Sequence, residues 1–274
     1  MIVDAQVHLW LANTPERPWL PNRVAQLPEP FLIEKLVPMM DEAGVDRAVI
    51  VPPSWEGDRN DYALEAVRRY PNRFAVMGRI PVNDPNTANL LPDWKKQPNM
   101  LGIRLTFHPH QWHWLTDGSV DWFWPLAEKY NLPVMFYGAP MAHFATVAER
   151  YPGLIMIADH FGTTGEVAKS GKLGEAIAET AKLAKYPNVS VKLSTAPFYS
   201  AQSYPFADMK PHIKRLFEAF GPRRCYWGTD LTNSYNKATY KQRITHFTET
   251  LEFLSAEDLE WIMGRAILER LGWK

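Results

Sequence analysis

The sequence predicts an α/β protein, a single-domain (β/α)8 TIM barrel over residues 1–274, and three observations lead there. Short β-branched runs recur with longer stretches of helical periodicity between them, the pattern of parallel strands joined by crossover helices. There are eight such runs, the number that closes a barrel. The 274 residues suit one barrel of roughly 250 residues, and no Gly- and Ser-rich linker or repeat of solenoid length divides them.

The first strand is expected at 2–8, where alternation puts Asp4, Gln6 and His8 on one face, with His8 near the C-terminal end. Apolar residues at helical spacing follow over 31–43 and stop at Gly44. A strand at 48–51 leads to a helix at 61–70, with Asn60 placed as its N-cap and Tyr70-Pro71 as its stop. After a strand at 74–79, the helical pattern of 87–96 is weakened by Pro92. Strands at 101–106, 133–137, 154–159, 189–194 and 224–229 then alternate with helices at 122–130, 143–151, 174–186, 208–220 and 240–254, and a helix at 256–271 ends the chain. The stretches 11–27 and 107–120 fit no element. Both follow strand C-termini, where barrel enzymes carry their chemistry.

Composition narrows the partner. Apolar residues make up 46% and charged residues 22%, with 30 basic against 30 acidic side chains. A net charge of zero creates no field for gathering phosphates or anionic lipid, so a small molecule is expected rather than nucleic acid or membrane. Lys95-Lys96 and Arg68-Arg69 are read as solvated helix faces, and the scattered tryptophans mostly as core. The lone Cys225 rules out an intramolecular disulfide framework and a Cys-built zinc site, and is read as a small buried hydrophobe rather than a nucleophile. Met1-Ile2-Val3-Asp4 runs straight into strand-like sequence with no leader pattern, so a cytoplasmic protein without a membrane span is expected. Nothing in the sequence fixes an oligomeric state.

Polar residues stand at the ends of five predicted strands: His8, then Arg104 and Thr106 with His108 beyond, Tyr137, Asp159-His160, and Asp230. In a barrel these ends meet at one rim. Taken singly, a strand-end His is more often a hydrogen-bonded filler, and Asp230 can cap the following helix. Their convergence favours function.

In their order, Val3-Asp4-Ala5-Gln6-Val7-His8-Leu9-Trp10, Gly102-Ile103-Arg104-Leu105, Asp159-His160-Phe161-Gly162, Val191-Lys192-Leu193-Ser194, Trp227-Gly228-Thr229-Asp230 and Met263-Gly264-Arg265-Ala266 resemble the amidohydrolase-related family over nearly the whole chain. The resemblance implies a first-strand His-x-His or Glu-x-His pair that helps hold a divalent metal, and a strand-eight Asp that activates water. Gln6 departs from that pattern, and a neutral carboxamide is a poor zinc ligand. A site without a cofactor is therefore expected; a metal such as zinc, if bound, falls to His8, His160 and Asp230. Lactonases for 2-pyrone-4,6-dicarboxylate and for sugar lactones belong to this resemblance, the former a precedent for metal-free hydrolysis.

The function expected is hydrolysis of a small carboxylated or sugar-derived lactone. Asp230 takes a proton from water and returns it to the leaving oxygen, while Arg104, His8 and His160 stabilise the carbonyl oxyanion. Burial is expected to raise the pKa of Asp230. Arg104 has a second candidate role as a clamp for a substrate carboxylate. Gln6, Tyr137, His108, Trp10, Trp112 and Lys192 are candidate substrate contacts. For Tyr137 and Trp10 packing is the alternative, for the segment 108–114 a surface loop, and for Lys192 either a lumenal charge partner of Asp230 or a side chain reaching solvent. Two other functions compete: a metal-dependent nonoxidative decarboxylase of the same family, and a noncatalytic barrel that binds a small molecule.

Overall fold

The computed structural model describes residues 1–138 and 140–274. Eight parallel strands follow one another around a single sheet in chain order. They are β1 (Val3–Val7), β2 (Arg47–Ile50), β3 (Phe74–Gly78), β4 (Met100–Thr106), β5 (Val134–Tyr137), β6 (Met156–Ala158), β7 (Val189–Ser194) and β8 (Cys225–Gly228), so each expected run is a strand of a (β/α)8 barrel. At the seam, the Asp230 N–H donates to the Gln6 carbonyl at 2.9 Å, and the Thr229 N–H donates to the Asp4 carboxylate at 2.8 Å. Gly228 permits this approach: a Cβ there would lie 3.2 Å from the Gln6 nitrogen and 3.3 Å from that of Ala5.

Around the strands lie α1 (Ile33–Ala43), α2 (Asp61–Arg69), α3 (Phe123–Lys129), α4 (Met141–Arg150), α5 (Gly165–Lys169), α6 (Leu173–Ala181), α7 (Ala196–Tyr199), α8 (Lys210–Phe220), α9 (Tyr240–Thr250), α10 (Ala256–Glu260) and α11 (Ala266–Leu271). The short α5 and α7, after β6 and β7, have too few residues for a periodic signal. The weak segment with Pro92 is a 3-10 helix, Pro85–Lys96. The helix expected at 174–186 gives way to a 3-10 turn, Lys182–Lys185. The terminal helix is broken by a π-helical stretch, Trp261–Arg265, where Gly264 lies so close to the first residue that a Cβ would sit 2.7 Å from the Met1 carbonyl. Asn60 precedes α2 but makes no cap. Its amide instead grips the Arg79 backbone, accepting the N–H at 2.7 Å and donating to the carbonyl at 2.9 Å.

Two apolar layers follow from the strand period. Outward residues such as Phe74, Phe136 and Trp227 pack beneath the helices. Inward residues such as Val49, Met77, Met135 and Ile157 form a second core with Trp261, Ile267, Leu271 and Trp273, which closes one end of the barrel. In β1 the simple alternation fails. Val3 and Ala5 belong to the inner core and Val7 to the outer, while the register against β2 shifts between Asp4 and Val7. Asp4 therefore does not share a face with Gln6 and His8: it turns outward to the Tyr240 hydroxyl of α9, 2.7 Å away, and takes the Gln6 N–H at 3.0 Å. This bulge turns Gln6 and His8 into the barrel. Among the described residues no helix is long and apolar enough to cross a membrane.

Candidate active site

A cavity of about 270 Å³ opens at the C-terminal ends of the strands, with His8, Arg104, His108, Tyr137, His160 and Asp230 among its walls. These come from β4, β5 and the turns after β1, β4, β6 and β8. Each was a candidate from sequence, and the fold brings all six to one space.

Asp230 is the centre of it. Its carboxylate is almost wholly buried, and its side chain makes no cap to the following 3-10 turn. Oδ2 accepts the Thr195 hydroxyl at 3.1 Å and lies 3.7 Å from His160 Nε2. Oδ1 lies 3.1 Å from His8 Nε2 but has no hydrogen bond of acceptable geometry, leaving a buried acceptor unspent. Burial acts to raise the Asp230 pKa, yet the His160 and His8 imidazoles and the Thr195 hydroxyl outweigh it and hold the carboxyl well below the usual carboxylate range. The expected upward shift is thus reversed, because burial here comes with polar partners.

Both imidazoles are fixed by their far nitrogens. His8 Nδ1 donates to the Val51 carbonyl at 2.6 Å, so Nε2 points toward Asp230 and Gln6. His160 Nδ1 lies 2.8 Å from the Ser194 hydroxyl. Burial pushes the His160 pKa down to about 4, so the ring is neutral near pH 7. With Ser194 donating to Nδ1, its proton sits on Nε2 and faces the carboxylate. His160, Phe161, Thr195 and Asp230 all adopt positive φ, at 51°, 59°, 66° and 46°. Left-handed backbone at non-glycine residues costs energy, and its clustering around one carboxylate marks a region shaped for something other than stability.

Beneath the cavity lies a buried charge network. Asp159 takes the Arg104 Nε–H on Oδ2 at 3.1 Å and faces the Lys192 ammonium across 2.9 Å at Oδ1. Burial opposes its ionisation, but Lys192 and Arg104 together hold its pKa below the usual value. Lys192 also donates to Gln6 Oε1 at 2.6 Å, and burial lowers its pKa against the pull of Asp159. The Gln6 amide nitrogen consequently faces His8 Nε2 at 3.3 Å. Lys192 is therefore lumenal, but its ion pair is with Asp159 rather than Asp230, and both Lys192 and Gln6 are fully buried below the cavity.

The remaining candidates separate. Tyr137 lines the cavity with its ring 5.2 Å from the Arg104 guanidinium, and burial pushes its pKa up to about 12. Trp10, a candidate substrate contact, is not at the cavity: it is wholly buried, stacked on Phe31 and edge-on to Trp55, which forms the cavity wall in its place. Trp112 is partly exposed and donates to the Gly138 carbonyl at 2.8 Å. It lines a larger, more apolar cleft of about 680 Å³ that shares His108 and Tyr137 with the first but does not contain Asp230. Cys225 is buried, its thiol pKa raised by burial. Thr195 and Arg79 were absent from the candidates, for Thr195 lies just past a strand and Arg79 reads as an ordinary strand end.

A sequence model described as Amidohydrolase matches residues 3–269. The chain is 24% identical to an L-fucono-1,5-lactonase from Burkholderia ambifaria, over 83% of this chain and 79% of that protein. It is 29% identical to a 4-sulfomuconolactone hydrolase from Hydrogenophaga intermedia, over 84% of this chain and 74% of the relative. The crystal structure of a probable 2-pyrone-4,6-dicarboxylic acid hydrolase from Acinetobacter baumannii, with citric acid bound, superposes with a TM-score of 0.78 at 19% identity and covers 99% of both chains.

Proposed function

The chain belongs to the amidohydrolase family, and from that premise we propose that it opens a small carboxylated or sugar-derived lactone with water activated by Asp230, without a metal. The observation that carries this reading is the unspent Oδ1 of Asp230, in a buried carboxylate that lines a cavity whose other walls supply donors. Water held at Oδ1 gives up a proton as its oxygen bonds to the lactone carbonyl carbon. Arg104 and the His160 imidazole take the developing oxyanion, because the His8 Nδ1–H is spent on the Val51 carbonyl and its Nε2 faces the Gln6 amide. When the tetrahedral intermediate collapses, the bond from that carbon to the ring oxygen breaks, and the proton held by Asp230 passes to the leaving oxygen.

The depressed pKa of Asp230 has a natural place in this scheme. The His160 imidazole that helps depress it is drawn toward the oxyanion as charge moves onto that oxygen. Asp230 becomes a stronger base as it is needed. The donor set suits a divalent ion poorly. The carbonyl oxygen of Gln6, its only ligating atom, is bound by Lys192, and its amide hydrogens are turned toward His8 Nε2, the atom a metal would need. No step is therefore routed through a metal. The test is turnover by untagged protein treated with a chelator, on a panel of sugar lactones and carboxylated muconolactones. Undiminished lactone hydrolysis is expected; activity abolished by chelation and restored by zinc or manganese would assign the chemistry to an ion.

A further inference from the structure

We propose, on the reading that this cavity opens a lactone, that the substrate carries a carboxylate or sulfonate, and that Arg79 and Arg104 together bind it between the ends of β3 and β4. A second cavity of about 80 Å³ adjoins the first, sharing Arg104, Thr106 and His108 and adding Arg79 and Asp58. Arg79 is only 8% exposed, and its Nε is buried without a hydrogen-bond partner. A guanidinium can only donate, and that N–H makes no hydrogen bond, the Asp58 carboxylate standing 3.6 Å off.

The surroundings are built the same way. Arg79 Nη1 donates to Thr106 Oγ1 at 3.1 Å, and Arg104 Nη1 donates to the same oxygen. With both lone pairs of the hydroxyl taken, Thr106 has only its proton left to offer. Negative charge is scarce. Asp159 serves both Arg104 and Lys192, and the acid near Arg79 is the half-exposed Asp58, 3.6 Å from Nε. Burial and the neighbouring Arg104 push the Arg79 pKa down to about 10, which still leaves it charged near neutrality. Asn60 clamps the Arg79 backbone through both its N–H and its carbonyl, so the guanidinium is held ready. A planar carboxylate or a sulfonate matches such paired donors, whereas an uncharged sugar ring leaves them unpaired.

Calorimetry with isophthalate, a rigid planar dianion, and isophthalamide, its uncharged counterpart, tests the receptor without turnover. Isophthalate is expected to bind about 10-fold tighter or more, and Arg79→Gln to lower that ratio by about 10-fold, the loss of a charged hydrogen bond. Asp58→Asn removes the competing acid and should tighten isophthalate several-fold, a gain that misfolding cannot produce. Equal affinities for the two probes, or a ratio unmoved by Arg79→Gln, would overturn the proposal. A lactone panel separates the two readings. Arg79-dependent isophthalate binding with no lactone opened sinks the hydrolase reading and leaves the receptor. Neutral sugar lactones opened faster than carboxylated or sulfonated ones sink the receptor and leave the hydrolase.

Discussion

Asp4 and Asp230 lie on opposite sides of the seam where β8 meets β1, both of them buried, and they are built for different ends. Asp4 is saturated: its carboxylate accepts the Gln6 N–H, the Thr229 N–H and the hydroxyls of Thr229 and Tyr240. Asp230, which lines the cavity, keeps one buried oxygen without a hydrogen bond. A buried carboxylate with every lone pair engaged holds structure together, while one left unspent beside imidazoles and a guanidinium is available for chemistry. The first also arranges the second. By gripping the Gln6 N–H, Asp4 pins the bulge that turns His8 inward to Asp230.

The sharpest way to break this contrast is Asp230→Asn. Asparagine tolerates the left-handed backbone and keeps the shape, so the fold should survive, while kcat falls by about 100-fold to 10,000-fold with the base removed. Turnover within a few-fold of wild type would remove Asp230 from the reaction. Next in size, Arg104→Met should lower kcat by about 100-fold to 1,000-fold, the usual loss of one oxyanion donor. A rise in KM confined to carboxylated or sulfonated lactones, with kcat kept, would make Arg104 a clamp alone. On the other side of the seam, Asp4→Asn places an amide nitrogen among groups that donate. A loss of roughly 1–3 kcal/mol in urea unfolding is expected, as for a buried hydrogen-bonding group left unpaired. An unchanged urea midpoint would mean that Asp4 pins nothing.

The same contrast explains how far the sequence could be read. The eight strands were legible because β-branched runs buried on both faces carry a strong local signal, and His8, Arg104, His160 and Asp230 were legible because strand ends converge in a barrel. The bulge in β1 was not. It depends on Tyr240, 236 residues from Asp4, and no period within the strand encodes that partner. Arg79 was missed for a related reason: what distinguishes it from any strand-end arginine is the grip of Asn60 and the hydroxyl it shares with Arg104, both long-range. Trp55 lines the cavity and Trp10 does not, because packing sets Trp10 behind it, an order that no local pattern encodes.

The smallest expected effect is also the one in which the two carboxylates should differ in sign. Burial raises the pKa of Asp4 despite its four donors, whereas the partners of Asp230 depress its pKa below the usual range. A group with a depressed folded-state pKa contributes stability that is present above the unfolded value of about 3.9 and disappears as pH falls through the folded value. A raised pKa works the other way, its contribution being full below the unfolded value and lost as pH climbs through the folded one. Urea unfolding between pH 3 and 6 should therefore show the stability gap between wild type and Asp230→Asn shifting toward Asp230→Asn as acid is added. The gap between wild type and Asp4→Asn should shift toward wild type over the same range, each by on the order of 1 kcal/mol. Parallel slopes for the two variants would mean that the carboxylates sit in equivalent electrostatic surroundings, and the division between a saturated acid and a poised one would have to rest on Asp230 Oδ1 alone.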